Sequence, residues 1–299
     1  MIMARPSAGS HRAWSHFAVE ALYWALTMLV ILYFAFPAVW MLLMSFKTRL
    51  EATAFPPVWL FHPTLIHYKG IFSTSTLSQL SGDSGLGTQI PYLINSIIVA
   101  VCTTALTLAF GTPAAYAFSG FRFRGDRLLA FAVLAIRFLP PISYVVPIYL
   151  LAARTGLLDT HLILILVYTV INLPFIIWML IGFFNDLPGE IREAARIDGC
   201  TEWGAFYRVL MPLVAPGVAA TAIFAFMLAW NDFMIAYMLT ESGARTMPVA
   251  LTRYISSEAG TYWGELSAGG IVTILPMLVF TLFAQRRLVR GLVVGAVKG

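Results

Sequence analysis

The sequence predicts an all-α membrane protein, and three observations carry that class. Hydrophobic residues make up 60% of the 299, only 11% are charged, and mean hydropathy is +0.82. A water-soluble domain carries about a quarter charged residues. Six apolar runs, at 22–44, 92–118, 128–153, 162–184, 213–239 and 266–284, come next. Each is close to or above the roughly twenty residues that a helix needs to cross about 30 Å of hydrocarbon. Lys and Arg placement is the third. With the N-terminus inside, twelve Lys and Arg fall on the inner side and six on the outer, the bias expected when both termini are cytoplasmic. Helices are favoured over barrel strands because the runs do not alternate polar with apolar.

The elements follow in order. Residues 1–21 form an inner tail containing Arg5 and Arg12. The run at 22–44 is too long for a signal peptide and lacks a small-residue cleavage site. An outer loop at 45–91 is rich in Pro, Ser, Thr and Gly, with "FPPVWLFHP" and then "STSTLSQLSGDSGLG". It reads as an irregular cap whose second half is mobile. The third run contains Arg137 with Pro140 and Pro141 close behind, and the fifth contains Asp232. Residues 285–299 form a second inner tail. One membrane domain, 22–284, therefore accounts for the chain. The formal charge of +5 is a topology signal and calls for no nucleic-acid partner.

The inner loop at 185–212 differs from a simple connector. Pro188 and Gly189 break the fourth run, and Ile191, Ala194 and Ala195 then recur at helical spacing. Gly199 is placed to end that short helix. Thr201 can cap a second one, in which Trp203, Phe206, Tyr207 and Leu210 share a stripe. Pro212 then opens the fifth run. A helix–turn–helix at the cytoplasmic surface is expected. Connectors rarely need so many ordered residues with an aromatic face, so a contact with another protein is the functional reading, with Glu193 and Asp198 meeting basic groups there.

No phosphate-binding loop of the G-x-x-x-x-G-K-[ST] type occurs, nor H-E-x-x-H, nor G-x-S-x-G. His11, His16, His62, His67 and His161 do not cluster as metal ligands, so no metal site is assigned. Cys102 and Cys200 imply no disulfide framework. Nothing supports an enzyme.

"EAARIDG" followed by "VLMP" resembles the loop named for its Glu-Ala-Ala motif in permease subunits of bacterial ATP-binding-cassette importers. The matching positions are Glu193, Ala194, Ala195, Gly199, Val209, Met211 and Pro212. Val209 and Met211 stand where Ile and Leu are usual, close in volume and polarity. "NSIIVA", "AAYAFSGFRFRG", "GLLDTHLILILVYTVINLPFIIWML", "LAWNDF" and the terminal "GLVVGAVKG" are similar to the carbohydrate-uptake branch, the last to the tail of the maltose-type second permease.

The resemblance implies a six-span permease in a bacterial plasma membrane. It implies a second related permease, two cytoplasmic ATPase subunits and an extracellular solute-binding protein as partners. ATP and Mg would be bound by the ATPases, with no cofactor in this chain. Glu193, Ala194, Ala195, Asp198, Gly199, Trp203 and Pro212 would form the coupling element, and the tail with Gly291, Lys298 and Gly299 would reach the ATPases. Substrate-path candidates are Arg137, Tyr144, Asn172, Trp230, Asn231 and Asp232. An arginine at that depth is costly unless it faces protein or water, and it can bind sugar hydroxyls or phosphate. It could instead pair with Asp232 or reach the membrane boundary. Trp230, Asn231 and Asp232 could bind a sugar or hold helices together. The branch leaves a sugar or glycerol-3-phosphate as substrate.

Because the chain has no phosphate loop, the purified subunit alone is expected to show no ATP hydrolysis. Hydrolysis that persists in a contamination-free preparation would contradict this reading.

Overall fold

The computed structural model describes residues 9–73, 88–121, 124–256 and 260–296. The protein is helical almost throughout, as expected. Among the described residues, five helical stretches are long and apolar enough to cross a membrane: Val19–Met44, Ile90–Gly120, His161–Asn185, Glu202–Trp230 and Trp263–Leu282. The first belongs to α1 (Gly9–Met44), which packs its C-terminal part against the last helix. α4 (Ile90–Gly120) and α7 (His161–Asn185) pack along most of their length. α10 (Met211–Trp230) lies against both and against α13 (Trp263–Ala296). Small residues allow the close approach: a Cβ on Gly217 would fall 2.3 Å from the Phe183 ring.

The third run, counted as one span in the sequence, is broken where its double proline is expected to break it. It forms α5 (Asp126–Ala135), a 3-10 turn (Ile136–Phe138) and α6 (Pro141–Thr155). The reason is Pro140 and Pro141: neither has an N–H to donate, and the residue before a proline is pushed out of helical backbone. Pro140 is itself extended, at φ −59° and ψ 135°. The broken segment still makes a pass. Gly120 lies at one end of α4, whereas His161, which follows α6, bonds Asn95 near the other at 2.8 Å. The described residues thus traverse the bundle six times, once as a broken helix.

The fifth run is interrupted as well. α10 stops at Trp230, and α11 (Met234–Leu239) resumes after a three-residue break. At its inner end the expectation of a separate second loop helix is also corrected. α9 (Glu202–Ala205) runs through a π-turn (Phe206–Leu210) straight into α10. Met211 N–H bonds Phe206 O, five residues back, and this widened turn carries the helix past Pro212, which has no N–H of its own. The last helix, α13, continues past 284 to Ala296.

Among its described residues the outer loop holds two short helices, α2 (Arg49–Thr53) with a Thr48–Glu51 capping box, and α3 (Ile66–Phe72). His67 of α3 is buried, with Nε2 2.7 Å from Lys47 O and Nδ1 3.5 Å from Glu265 Oε1 of α13. The mobile second half expected for this loop lies, over 74–87, outside the described residues. Between α11 and α13 come α12 (Met247–Ala250), a 3-10 turn (Leu251–Tyr254), and paired strands β1 (Ile255–Ser256) and β2 (Gly260–Thr261).

Asp159, at φ 57°, organises the outer ends. Its carboxylate accepts backbone N–H bonds from Glu241, Ser242, Gly243 and Ala244 at 2.8–3.1 Å. Partial burial opposes ionisation, but the four donors outweigh it and hold the carboxyl below its ordinary value. A depressed folded value stabilises above the unfolded pKa and is lost as pH falls through the folded one. Asp159→Asn is therefore expected to destabilise the purified protein by about 1 kcal/mol near neutrality. The gap to wild type should close as pH drops below about 4, followed by thermal unfolding across pH.

Candidate functional site

Two regions gather the candidate residues. The first is where the two helix breaks face each other. Arg137, on the 3-10 turn, donates through Nη1 to Asn172 Oδ1 at 3.0 Å and to Ile171 O at 3.4 Å, both on α7. From the other break, Asp232 Oδ1 accepts Tyr168 Oη at 2.8 Å and the N–H groups of Ile235 at 3.1 Å and Ala236 at 3.3 Å. Asp232 thereby caps α11 and ties it to α7. Arg137, Tyr144, Tyr168, Asn172, Asp232 and several apolar side chains line one cavity of about 420 Å³. Its volume falls in the range of small-molecule sites.

The pairing left open in the sequence is resolved. Arg137 bonds Asn172 and a backbone carbonyl rather than Asp232. The cavity presents a guanidinium, an amide, phenol groups and a carboxylate to the same space.

Trp230 and Asn231 do not join them. Trp230 is 2% exposed, stacks on Phe226 at 5.4 Å and donates through Nε1 to Thr273 O at 3.1 Å. Asn231 is exposed and turns its Nδ2 back to Met227 O at 2.9 Å, one helical turn earlier. Tyr168, which the sequence reading passed over, lines the cavity in their place. An apolar run offers no local signal for it, because its partner lies 64 residues away.

The second region is the inner loop, and its expected caps are present. α8 (Gly189–Ile197) ends with Gly199 N–H on Arg196 O at 3.0 Å and Cys200 N–H on Ala195 O at 3.0 Å, the two bonds of a Schellman motif. Gly199 has φ +83° and open space around it within this chain. Left-handed backbone, and not crowding inside the subunit, is what calls for glycine here. Thr201 Oγ1 accepts Gly204 N–H at 3.1 Å and caps α9.

Ala195 is buried against the body, while Glu193, Ala194 and Asp198 are exposed. The predicted apolar stripe of α8 is thus narrower by one residue. Ile197 is 86% exposed, and Trp203 and Tyr207, stacked at 5.9 Å, are each 60% exposed. Phe206 and Leu210 turn inward. Pro212 is exposed just past the π-turn. In the tail, Gly291 belongs to the backbone of α13, and Lys298 and Gly299 lie outside the described residues.

Residues 107–294 match the family described as the binding-protein-dependent transport system inner membrane component. The chain belongs to this family. It is 38% identical over 288 residues to the trehalose transport system permease protein of Mycobacterium tuberculosis, covering 94% of this chain and 99% of that one. It is 32% identical to the trehalose/maltose transport system permease protein of Thermococcus litoralis, covering 88% and 91%. It is 36% identical to the sulfoquinovosyl glycerol transport system permease protein of Agrobacterium fabrum, covering 88% and 89%. The fold matches a chain in the crystal structure of a bacterial ABC transporter that imports the acidic polysaccharide alginate. The TM-score is 0.69 at 21% identity, with 95% of this permease and 99% of that chain covered. A second match, TM-score 0.65 at 16% identity over 91% and 96%, is the alginate transporter in complex with a periplasmic protein carrying an alginate pentasaccharide.

Trp230 tests the division between packing and cavity residues in this permease. Trp230→Ala is expected to lower unfolding stability by about 3 kcal/mol, whereas Asn231→Ala should leave it nearly unchanged. Thermal unfolding in detergent reads both.

Proposed function

We propose that this permease is one half of the translocation pore of an ATP-driven importer for a mono-, di- or oligosaccharide. It would work by alternating access between the two membrane faces. Its partners are a second related permease, two cytoplasmic ATPase subunits that bind ATP and Mg, and an extracellular solute-binding protein. Both termini face the cytoplasm, consistent with the Lys and Arg bias of the sequence.

The observation that carries the reading is the uncovered face of the inner loop. Glu193, Ala194, Ile197, Trp203 and Tyr207 are exposed on an ordered element held by the Gly199 turn and the Thr201 cap. A carboxylate beside exposed aromatic and aliphatic groups suits a protein cleft. Full-length relatives named for sugar uptake support the carbohydrate, and the complex with a pentasaccharide-loaded periplasmic protein supports a delivery partner. The cavity favours a neutral polyhydroxylated solute over glycerol-3-phosphate. A phosphate would meet the Asp232 carboxylate as well as Arg137, whereas hydroxyl groups can donate to one and accept from the other.

Uptake in cells lacking the native gene checks this reading. Wild type should restore uptake of a labelled oligosaccharide and leave glycerol-3-phosphate uptake unchanged. Arg137→Ala should lose about 1.5–3 kcal/mol of contact energy, roughly tenfold or more in uptake, with the ATPase still co-purifying. Glu193→Ala should weaken ATPase co-purification, and Gly199→Asp should abolish uptake while membrane insertion persists. Normal docking and uptake in the last two variants would reduce the loop to a connector. Failure of the Arg137→Ala complex to assemble would make that residue structural.

A further inference from the structure

Arg192 occupies a position that neither the docking face nor the cavity explains. It lies on α8, one residue before Glu193, but its side chain is only 20% exposed and turns toward α4. Nη1 donates to Gly120 O, the end of α4. Nε and Nη2 donate to Glu202 Oε2 of α9 at 3.3 and 3.0 Å. Tyr116 Oη, one turn up α4, donates to that same oxygen at 3.0 Å. The guanidinium also sits 4.2 Å from the Phe121 ring centroid and 5.5 Å from that of Tyr116. One side chain thus clamps both loop helices to one end of one membrane helix.

The surroundings show why this clamp matters. Pro188, which has no N–H to donate, precedes α8 and Gly199, in left-handed backbone, follows it, so a turn bounds the helix on each side. Packing leaves a gap between it and α4, a cavity of about 310 Å³ lined by Ser119, Gly120, Pro188, Arg192, Glu193 and Arg196. Gly120 has no side chain where the guanidinium needs room: a Cβ there would fall 2.9 Å from Nη1. A cation at a helix C-terminus is further favoured by the helix dipole. At its other end α4 holds the outer segment. Asn95 Nδ2 donates to Gly243 O at 2.9 Å and Arg245 O at 3.0 Å, and Ser96 Oγ accepts Met247 N–H at 2.7 Å. The rod between Asn95 and Gly120 is about 37 Å long at the usual helical rise.

We propose that Arg192 is a positioning residue, the strut that passes displacement of the inner loop into α4 and so to the outer segment at 243–247. The strut rests on the importer reading, since the displacement comes from an ATPase docked on α8. Planar geometry with several fixed donors suits the task, because a lysine at this site could not hold Gly120 O and Glu202 together in one rigid arrangement. Loss of the strut leaves docking intact and uncouples it from transport.

The test uses the complete transporter, with partner permease, ATPases and solute-binding protein, reconstituted in liposomes. Substrate moved per ATP hydrolysed is compared with the amount of ATPase that co-purifies. Arg192→Met keeps the apolar stem and removes the donors, and Gly120→Ala pushes the guanidinium away without changing charge. Both are expected to lower transport per ATP by about tenfold with ATPase stoichiometry kept, and Arg192→Lys to fall between. An unchanged ratio in both would overturn the strut. So would loss of bound ATPase in both, which would make Arg192 a docking or folding residue. Failure of the wild-type permease to bind any ATPase would overturn the importer reading instead.

Discussion

Hydrocarbon cannot hydrogen-bond a backbone amide, and every irregularity in this permease is arranged around that fact. Where the third pass breaks, two prolines remove the N–H groups that the break would orphan, and Arg137 enters with bonds to α7. Where the fifth pass breaks, Asp232 accepts the N–H groups of Ile235 and Ala236. At the inner boundary a π-turn carries the chain past Pro212. The two breaks within the bundle meet at one cavity, which is where non-helical backbone at membrane depth is tolerated. A binding space and a satisfied backbone are the same solution seen twice.

Helices in lipid gain little from hydrophobic burial against one another, so packing of small residues and polar ties at the ends carry much of the association. The outer end is held by Asp159 on four amides, by Asn95 and Ser96 on the following segment, and by the buried His67–Glu265 contact. Arg192, Glu202 and Tyr116 hold the inner end. α4 takes part in both networks, which makes it the member through which the two ends of the bundle can communicate.

Charge in the cavity is balanced, not single-signed. A lone arginine would favour anions, but Asp232 shares the space and is held there by its role at the start of α11. On the importer proposal, a preference for hydroxyl-rich solutes would follow from an architectural requirement, the capping of a broken helix. Trp230 illustrates the reverse case: a residue with the chemistry of a sugar platform is used for packing against Phe226 and Thr273.

Features that depend on a few consecutive residues were determined by the sequence alone. Span lengths follow from apolar runs, the end of α8 from Gly199, the cap of α9 from Thr201, and a helix break from Pro140–Pro141. Each has a local cause: solvent, left-handed backbone, a side-chain oxygen, a missing donor. What the sequence misjudged also has a physical reason. The second loop helix reads as separate because Pro212 looks like a boundary, whereas a π-turn lets the helix continue. Only the tertiary structure decided that Arg137 turns to Asn172, that Trp230 is buried, and that Arg192 reaches Gly120, 72 residues away. Periodicity states which residues share a helix face, but not which neighbour that face meets. That choice is made when six passes pack together and each buried polar group must find a partner far along the chain.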